Sequence, residues 1–437
     1  MTQNTFDYKK KSEVSVALWI PLVWMFYSAA RPISFWLQLG RSNTYDYKYS
    51  SYMEGSPVDR NILLIFIVLS IYVLSKRNIR WKSLIKINSA FVIWFFYCMI
   101  SISWSDYPFV SLKRWIKEFG SFLSILIVLT EANPSSAVKA LLKRFSYIVI
   151  PSSIILILFF PNLGISGDYF GKPSYAGVAY NKNGLGAILL VSGFFFFYNI
   201  VSMKRVNPKN ADHKTANKKE SVYIQYIFLA VTLYMLSIVH SATSFGGFLI
   251  GVFVYIAFGL KLINRNLKFI WAFSIIAIFT GVVLQYSLDV VDFFVTSLGR
   301  ELTLTGRTSL WKDLLMFRED PLIGVGYGNF WLGERLDMIW ELRRVNEAHN
   351  GYLFVYLELG IIGLLLLAGI ILNTYRNINR ELLQEYDYGR FQLALLIVVI
   401  LYNVTEEAFA QLHLIWFVLL LIGVSTRQKP VMQYSHK

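Results

Sequence analysis

Cysteine is nearly absent. The 437-residue chain holds one, Cys98, inside an apolar run, which excludes an intrachain disulfide and a cysteine metal site and leaves a buried thiol. No HExxH, EF-hand, P-loop or cysteine–histidine spacing occurs, so no metal site and no cofactor is indicated. The long polar stretch before the last spans also lacks a DxD-like pair, which counts against a transferase that uses nucleotide sugars. Charge is scarce: 16% of residues are charged, against 55% hydrophobic and 17% aromatic. That balance excludes a large soluble enzyme and fits a polytopic membrane protein. The net charge of +15 does not point to nucleic acid, because the basic residues sit in short clusters between apolar segments, as membrane loops require.

Windows long enough to cross a bilayer fall at about 14–30, 61–75, 88–104, 118–130, 145–160, 184–201, 222–240, 246–260, 269–287, 350–373, 391–405 and 409–424. The expected fold is therefore all-α and polytopic, with about 12 transmembrane helices and one large outer loop between the ninth and tenth. Residues 1–288 hold spans one to nine, 289–348 the loop with short helices, and 349–437 the last three spans. Lys9–Lys11 and the small residues Ser28-Ala29-Ala30 imitate a signal peptide, but the span is long and many follow, so it is expected to be an uncleaved first helix. With the N-terminus inside, the inner segments carry most of the 42 Lys and Arg, and both termini are expected in the cytoplasm. The basic stretch at about 204–220, "KRVNPKNADHKTANKKE", has no apolar periodicity and is expected to be a flexible cytoplasmic loop. The outer stretch from Asp289 to Glu347 carries Trp311, Phe317, Phe330, Trp331 and Trp340, enough aromatic surface to form packed structure.

Polar groups at the outer boundary are the candidates for chemistry. "LTGRTSLWKDLLMF" predicts an amphipathic helix with Leu310, Leu314 and Phe317 on one face and Thr308 or Ser309 as its cap. Arg307 would then stand at the helix start, where backbone N–H groups already favour anions and a guanidinium grips a diphosphate. A surface ion pair with Asp313, Glu319 or Asp320 is the plainer reading. "DPLIGVGYGNFW" is neither a dinucleotide nor a Walker pattern, and its glycines predict a tight turn or re-entrant packing. "NEAHNGYLFVYLELGIIG" opens a helix at Leu353 with groups that are costly to bury: Asn346, Glu347, His349 and Asn350. A neutral His349 there can take a proton from a sugar hydroxyl, with a carboxylate or amide to orient it; a lone interfacial histidine is more often structural. Glu358 falls on the opposite side of that helix from His349 and reads as a packing residue. Arg31, Lys113, Arg114 and Lys182 lie near outer span ends, where interfacial anchoring or an anionic headgroup would explain them equally. Glu406 and Glu407 fall in the turn between the last two spans, placed either to meet those cations or a sugar, or simply to be solvated.

In this order the pieces resemble the O-antigen ligase and Wzy-type polymerase superfamily, in its exopolysaccharide-polymerase-like (ExoQ-like) branch. The likeness runs from "SAARPISFWLQLG" through "SISWSDYPFVSLKRWIK", "GVAYNKNGLGAILLVSG" and "HSATSFGG" to "YNVTEEAF", and its specific part is the succession of GRTxLW, PLxGxGxxxFW and AHNGYL. The resemblance implies a bacterial inner-membrane glycosyltransferase whose site faces the periplasm and whose donor is an oligosaccharide on undecaprenyl diphosphate. It implies no metal or other cofactor, and a flippase and a chain-length regulator as partners beside the lipid bilayer. Carried onto this chain, the family's loop arginine matches Arg307 and its histidine matches His349. Arg114, Lys182, Arg31, Asn350 and Glu406 are the further candidates for holding diphosphate or sugar. One departure concerns the stretch before the eighth span: ligases often carry a cation there, and here it reads His240-Ser-Ala-Thr-Ser-Phe245. That favours a polymerase of repeat units over a ligase that transfers the glycan to lipid A–core. A transporter of lipid-linked glycans is the reading from another class, and the polar residues crowding one boundary, rather than the midplane, count against it.

Overall fold

A computed structural model describes residues 14–37, 56–167, 173–205, 215–260 and 304–426, with the single positions 272 and 279. Its helices are α1 (Trp19–Ala29), α2 (Pro57–Ser75), α3 (Trp81–Ile87), α4 (Ser89–Ser101), α5 (Pro108–Leu129), α6 (Pro134–Phe159), α7 (Lys182–Arg205), α8 (Thr215–Val239), α9 (Ala242–Ala257), α10 (Leu304–Leu314), α11 (Gly333–Arg343), α12 (Gly351–Leu382), α13 (Tyr386–Thr405) and α14 (Leu414–Gly423). Every expected window falls on one of them except 269–287, which lies outside the described residues, as does the start of the expected large loop at 289–303.

The protein is an all-helical multi-pass membrane protein, but the count of twelve is not what the described residues give. Six helices are long and apolar enough to cross a membrane, or seven if α3 and α4, bent by 87° at Asn88, form one span. Windows such as 409–424 overstate the helix: α14 is only ten residues long and buried along its whole length. Of the expected flexible loop at 204–220, residues 206–214 lie outside the described residues, and α8 begins at Thr215. The fold also departs from pure α by one small antiparallel ribbon, β1 (Ile165–Gly167) with β2 (Pro173–Tyr175), in which Ile165 faces Tyr175.

Burial sorts the helices into layers. α7 and α13 are mostly buried, whereas α2 and α8 keep most of their apolar surface outward, where lipid would meet it. With no water in the hydrocarbon, polar side chains on membrane helices gain by bonding within the protein. Trp24 donates to Ser121 at 2.6 Å, joining α1 to α5. Glu118 on α5 accepts from the Trp416 indole at 2.7 Å and from the Leu412 backbone at 3.2 Å, fixing the turn before α14.

The sequence reads as one continuous helix after Leu353; the structure breaks it. Gly360 has φ +64° inside α12, and the segment Pro321–Gly328 fills the break. Val325 N and Gly326 N donate to the carbonyls of Leu357 and Glu358 at 3.2 and 2.8 Å, while Ile361 N and Ile362 N donate to those of Pro321 and Leu322 at 2.9 and 3.1 Å. The Tyr97 hydroxyl donates to the Leu359 carbonyl at 3.0 Å. The interrupted helical ladder is thus repaired by the loop together with Tyr97, which is what permits a break within the helix. Glu358 is a packing residue as expected, accepting from Gly328 N at 2.9 Å. "PLIGVGYG" accordingly forms the tight turns its glycines suggested. At Gly324, φ is +65° and a β-carbon would stand 2.4 Å from the Glu358 carbonyl carbon.

Gly324→Ala should therefore destabilise the protein by at least about 2 kcal/mol, from left-handed strain plus backbone overlap. Thermal unfolding in detergent together with limited proteolysis at 320–331 checks this; an unchanged melting point with an uncut loop would refute the clamp.

Candidate functional site

The site forms where α10, the loop before α12 and the α13–α14 turn meet. α10 begins at Leu304, earlier than expected, so Thr308 and Ser309 are not its caps. Ser309 instead accepts from Arg343, and Leu310 and Leu314 bury the predicted face. Arg307 does not take the surface acids. Its guanidinium donates to the Thr405 carbonyl and lies 3.5 Å from a Glu406 carboxylate oxygen. Asp313 pairs with Arg343, and Glu319 with Arg335, which also reaches Asp106 of the "SISWSDY" motif.

His349 is pinned from both sides. The Ala348 N–H donates to Glu407 and the Ala348 carbonyl accepts from the Trp311 indole at 2.9 Å. On the other side, Asn350 caps α12, its side-chain oxygen accepting from Tyr352 N and Leu353 N at 3.0 and 2.9 Å. Between them His349 adopts φ +49°, a left-handed conformation held by its neighbours. Gly351 is required for the approach that follows, since a β-carbon there would meet Asn403 Oδ1 at 2.0 Å. Asn403 in turn orders the α13–α14 turn by accepting from Ala408 N at 3.0 Å. The "AHNG" tetrapeptide is a backbone device that aims one imidazole.

That imidazole faces Glu406. His349 Nδ1 lies 3.7 Å from a Glu406 oxygen and 3.9 Å from one of Glu347, and it is shielded from solvent without a hydrogen bond. Glu406 is 6% exposed. It also accepts from Asn183 Nδ2 at 3.1 Å and contacts the Thr243 hydroxyl at 3.5 Å, and Thr243 meets the Thr405 hydroxyl at 3.0 Å. Burial opposes charge on His349, but the Glu406 contact and its charge, with Glu347 behind it, outweigh burial and Arg307, and raise its pKa above 6.5. Burial likewise works against the Glu406 carboxylate, yet His349, Arg307 and His413 together hold it below 4.5. Glu407, next in sequence, goes the other way: burial pushes its carboxyl well up, although Ala348 N and the Trp331 indole bond to it. His413 caps α14 by accepting from Ile415 N at 3.1 Å and is pushed down to about 4 by burial, as an acceptor nitrogen requires.

The structure brings Arg307, His349 and Glu406 together and gives Asn350 the supporting role of cap. Arg31 lies elsewhere in the fold, donating to the Leu163 carbonyl and stacked on Phe35 and Trp36. Arg114 donates to the Gly328 carbonyl at 2.6 Å and so braces the loop that fills α12. Lys182 opens α7 beside Asn183, whose side-chain amide donates to Glu406. Asn183 and Thr243 were missed by the sequence reading. Their only signal is a polar residue at the end of an apolar run, and the stretch that departs from the ligase pattern thus supplies a neutral hydroxyl to Glu406.

Residues 227–368 match the family described as O-Antigen ligase, a segment that contains both Arg307 and His349, and the resemblance read from the motifs is borne out. The chain is also 24% identical over 310 residues to "Exopolysaccharide production protein ExoQ" of Rhizobium meliloti (strain 1021), covering 68% of each protein.

The His349–Glu406 pair makes a pH-dependent contribution to stability. The raised histidine pKa gives stability that is full below 6.5 and lost as pH rises through the folded value; the lowered Glu406 pKa gives stability that is full above 4.5 and lost as pH falls through its own folded value. The stability difference between the protein and Glu406→Gln should peak between those limits. Melting curves across pH 3 to 9 check it, and a difference that does not vary with pH would contradict the pairing.

Proposed function

We propose that this protein is an inner-membrane glycosyltransferase that polymerises oligosaccharide repeat units carried on undecaprenyl diphosphate into a surface or exported polysaccharide. What carries the reading is one cluster: a cation, Arg307, and an imidazole, His349, gathered on a single buried carboxylate, Glu406, at 3.5 and 3.7 Å. The reaction needs a general base at the attacking hydroxyl and positive charge at the departing diphosphate. The Glu406 charge, 3.7 Å from His349 Nδ1, stabilises the imidazolium that forms when the other ring nitrogen takes the acceptor proton. The acceptor oxygen forms its bond to the anomeric carbon from the face opposite the diphosphate. The bond from that carbon to the diphosphate oxygen breaks, the configuration inverts, and polyprenyl diphosphate leaves with the electron pair. The proton held by His349 passes to solvent.

Arg307 offsets the charge of the leaving group, with Arg114, Lys182 and Arg31 as further cations on the same side of the membrane. Because the diphosphate is already a good leaving group, orientation and charge stabilisation suffice and no metal is needed. In this reading both termini are cytoplasmic, residues 289–348 form the periplasmic loop over the donor, and a flippase supplies the substrate while a chain-length regulator acts on the product. The ExoQ likeness and the neutral Thr243 beside Glu406 favour polymerase. The matched family's description as ligase keeps transfer of the glycan to lipid A–core as the second reading.

Purified protein incubated with lipid-linked repeat units should lengthen them. His349→Ala should slow the reaction about 10²–10⁴-fold and Arg307→Ala about 10²–10³-fold, with both variants still inserted in the membrane. Full activity in either variant would sink the mechanism. In cells, loss of a polymerase leaves single repeat units, whereas finished chains stranded on the lipid carrier would select the ligase.

A further inference from the structure

The stretch "AGVAYNKNG", Ala176–Gly184, runs between two parts of the fold. At one end Arg31 N donates to the Val178 carbonyl at 3.0 Å; at the other Asn183 donates to Glu406 at 3.1 Å. The backbone between them is held at several points. Ala176 N and Gly177 N both donate to the Gly164 carbonyl at 2.9 Å, and Val178 N donates to Ser153 Oγ at 3.4 Å. Gly177 takes φ +54°, and a β-carbon there would stand 2.6 Å from that of Ser153. Asn181 then caps α7, its side-chain oxygen accepting from Gly184 N at 2.8 Å.

One side chain departs from this burial. Residues 176–179 are buried, whereas Tyr180 is 52% exposed. Its phenol lies within electrostatic reach of Arg31, which is itself buried and placed over the Phe35 and Trp36 rings. Three residues separate Tyr180 from Asn183, so their backbones are at most about 11 Å apart. The first turns of α7 and α9 meet at the same level, since a β-carbon on Gly186 would stand 2.4 Å from Ser244 Oγ. Rigid backbone thus presents an aromatic ring close to the Glu406 cluster. Interfacial anchoring accounts for an exposed tyrosine, but it requires neither a braced loop nor nearness to that carboxylate.

A pyranose carries hydroxyls on its rim and C–H groups on its faces. Such a face packs on the electron-rich face of a phenol, and a tyrosine held on rigid backbone loses little conformational freedom in the contact. We propose that Tyr180 is a sugar-binding platform, on which a pyranose ring of the repeat unit packs and is held beside the Glu406 cluster. The substrate class rests on the transferase reading. Because this ring is not the one whose bonds change, the contact is made equally in the ground and transition states and acts on KM rather than on kcat.

The test uses the full-length protein in nanodiscs and two probes: lipid-linked repeat units from the producing strain, and the oligosaccharide released from them by mild acid. The wild-type protein and Tyr180→Phe should bind the free oligosaccharide alike, and Tyr180→Leu about tenfold more weakly, with an unchanged melting point. In chain growth Tyr180→Leu should raise KM by a similar factor at nearly constant kcat. Varying the free oligosaccharide as acceptor and the lipid-linked unit as donor separately shows which of them the ring holds; a rise for either supports the platform, and a rise for neither overturns it. If Tyr180→Leu does not insert, Tyr180→Trp keeps an aromatic face, and its emission, taken as a difference from wild type, should shift on adding the oligosaccharide; an unmoved spectrum would overturn the proposal. Equal binding by wild type and Tyr180→Leu, or no binding by wild type, would do the same even if chains grow. Binding that depends on Tyr180 without chain growth would uphold the platform and remove the transferase reading.

Discussion

The break in α12 at Gly360 is the constraint on which the rest of the architecture depends. An interrupted helix within a membrane leaves backbone groups that water cannot reach, and each must find a partner or cost several kcal/mol. Here Pro321–Gly328 supplies those partners in both directions. That segment is thereby fastened to the helix whose start carries His349. Glu358 and Arg114 secure the same loop from two further sides, on Gly328 N and on its carbonyl. A loop held at so many backbone positions has little freedom to slide, and the neighbouring Trp331 can then reach Glu407.

From that clamp the site is assembled by the α13–α14 turn. Its two adjacent glutamates divide the work because their surroundings differ. Glu407 receives a backbone N–H and an indole and holds the segment before His349 in place. Glu406 is surrounded by Arg307, His349, Asn183 and Thr243 and stays charged. One carboxylate positions the backbone and the other sets the electrostatics around His349 and Arg307. Four separate stretches of chain converge on Glu406, which explains why the motifs are so widely spaced in sequence.

Much of this was legible from residue pattern. Apolar runs located the helices, because burial in lipid demands them. His349 stood out because polar groups at a hydrocarbon boundary need a reason, and Arg307 because it was expected at a helix start, although α10 begins three residues earlier at Leu304. Span number was less legible: hydropathy does not distinguish a helix that crosses lipid, such as α2, from one enclosed by other helices, such as α14. The kink at Gly360 was hidden because an apolar helix and a broken apolar helix have the same composition; only the partner loop, thirty-odd residues upstream, differs. Asn183 and Thr243 were missed for a related reason, since their value lies in a contact with Glu406 that no local spacing encodes.

The central claim is that Glu406 acts through His349, and the rate of polymer growth in a double-mutant cycle tests it most directly. Initial rates would be measured for the wild-type protein, Glu406→Gln, His349→Ala and the combined variant. The account predicts that Glu406→Gln slows the wild-type enzyme at least about tenfold, as loss of an oriented base should, yet leaves the residual rate of His349→Ala essentially unchanged. A combined loss equal to the product of the two single losses would show that the carboxylate and the imidazole work independently, and would contradict it.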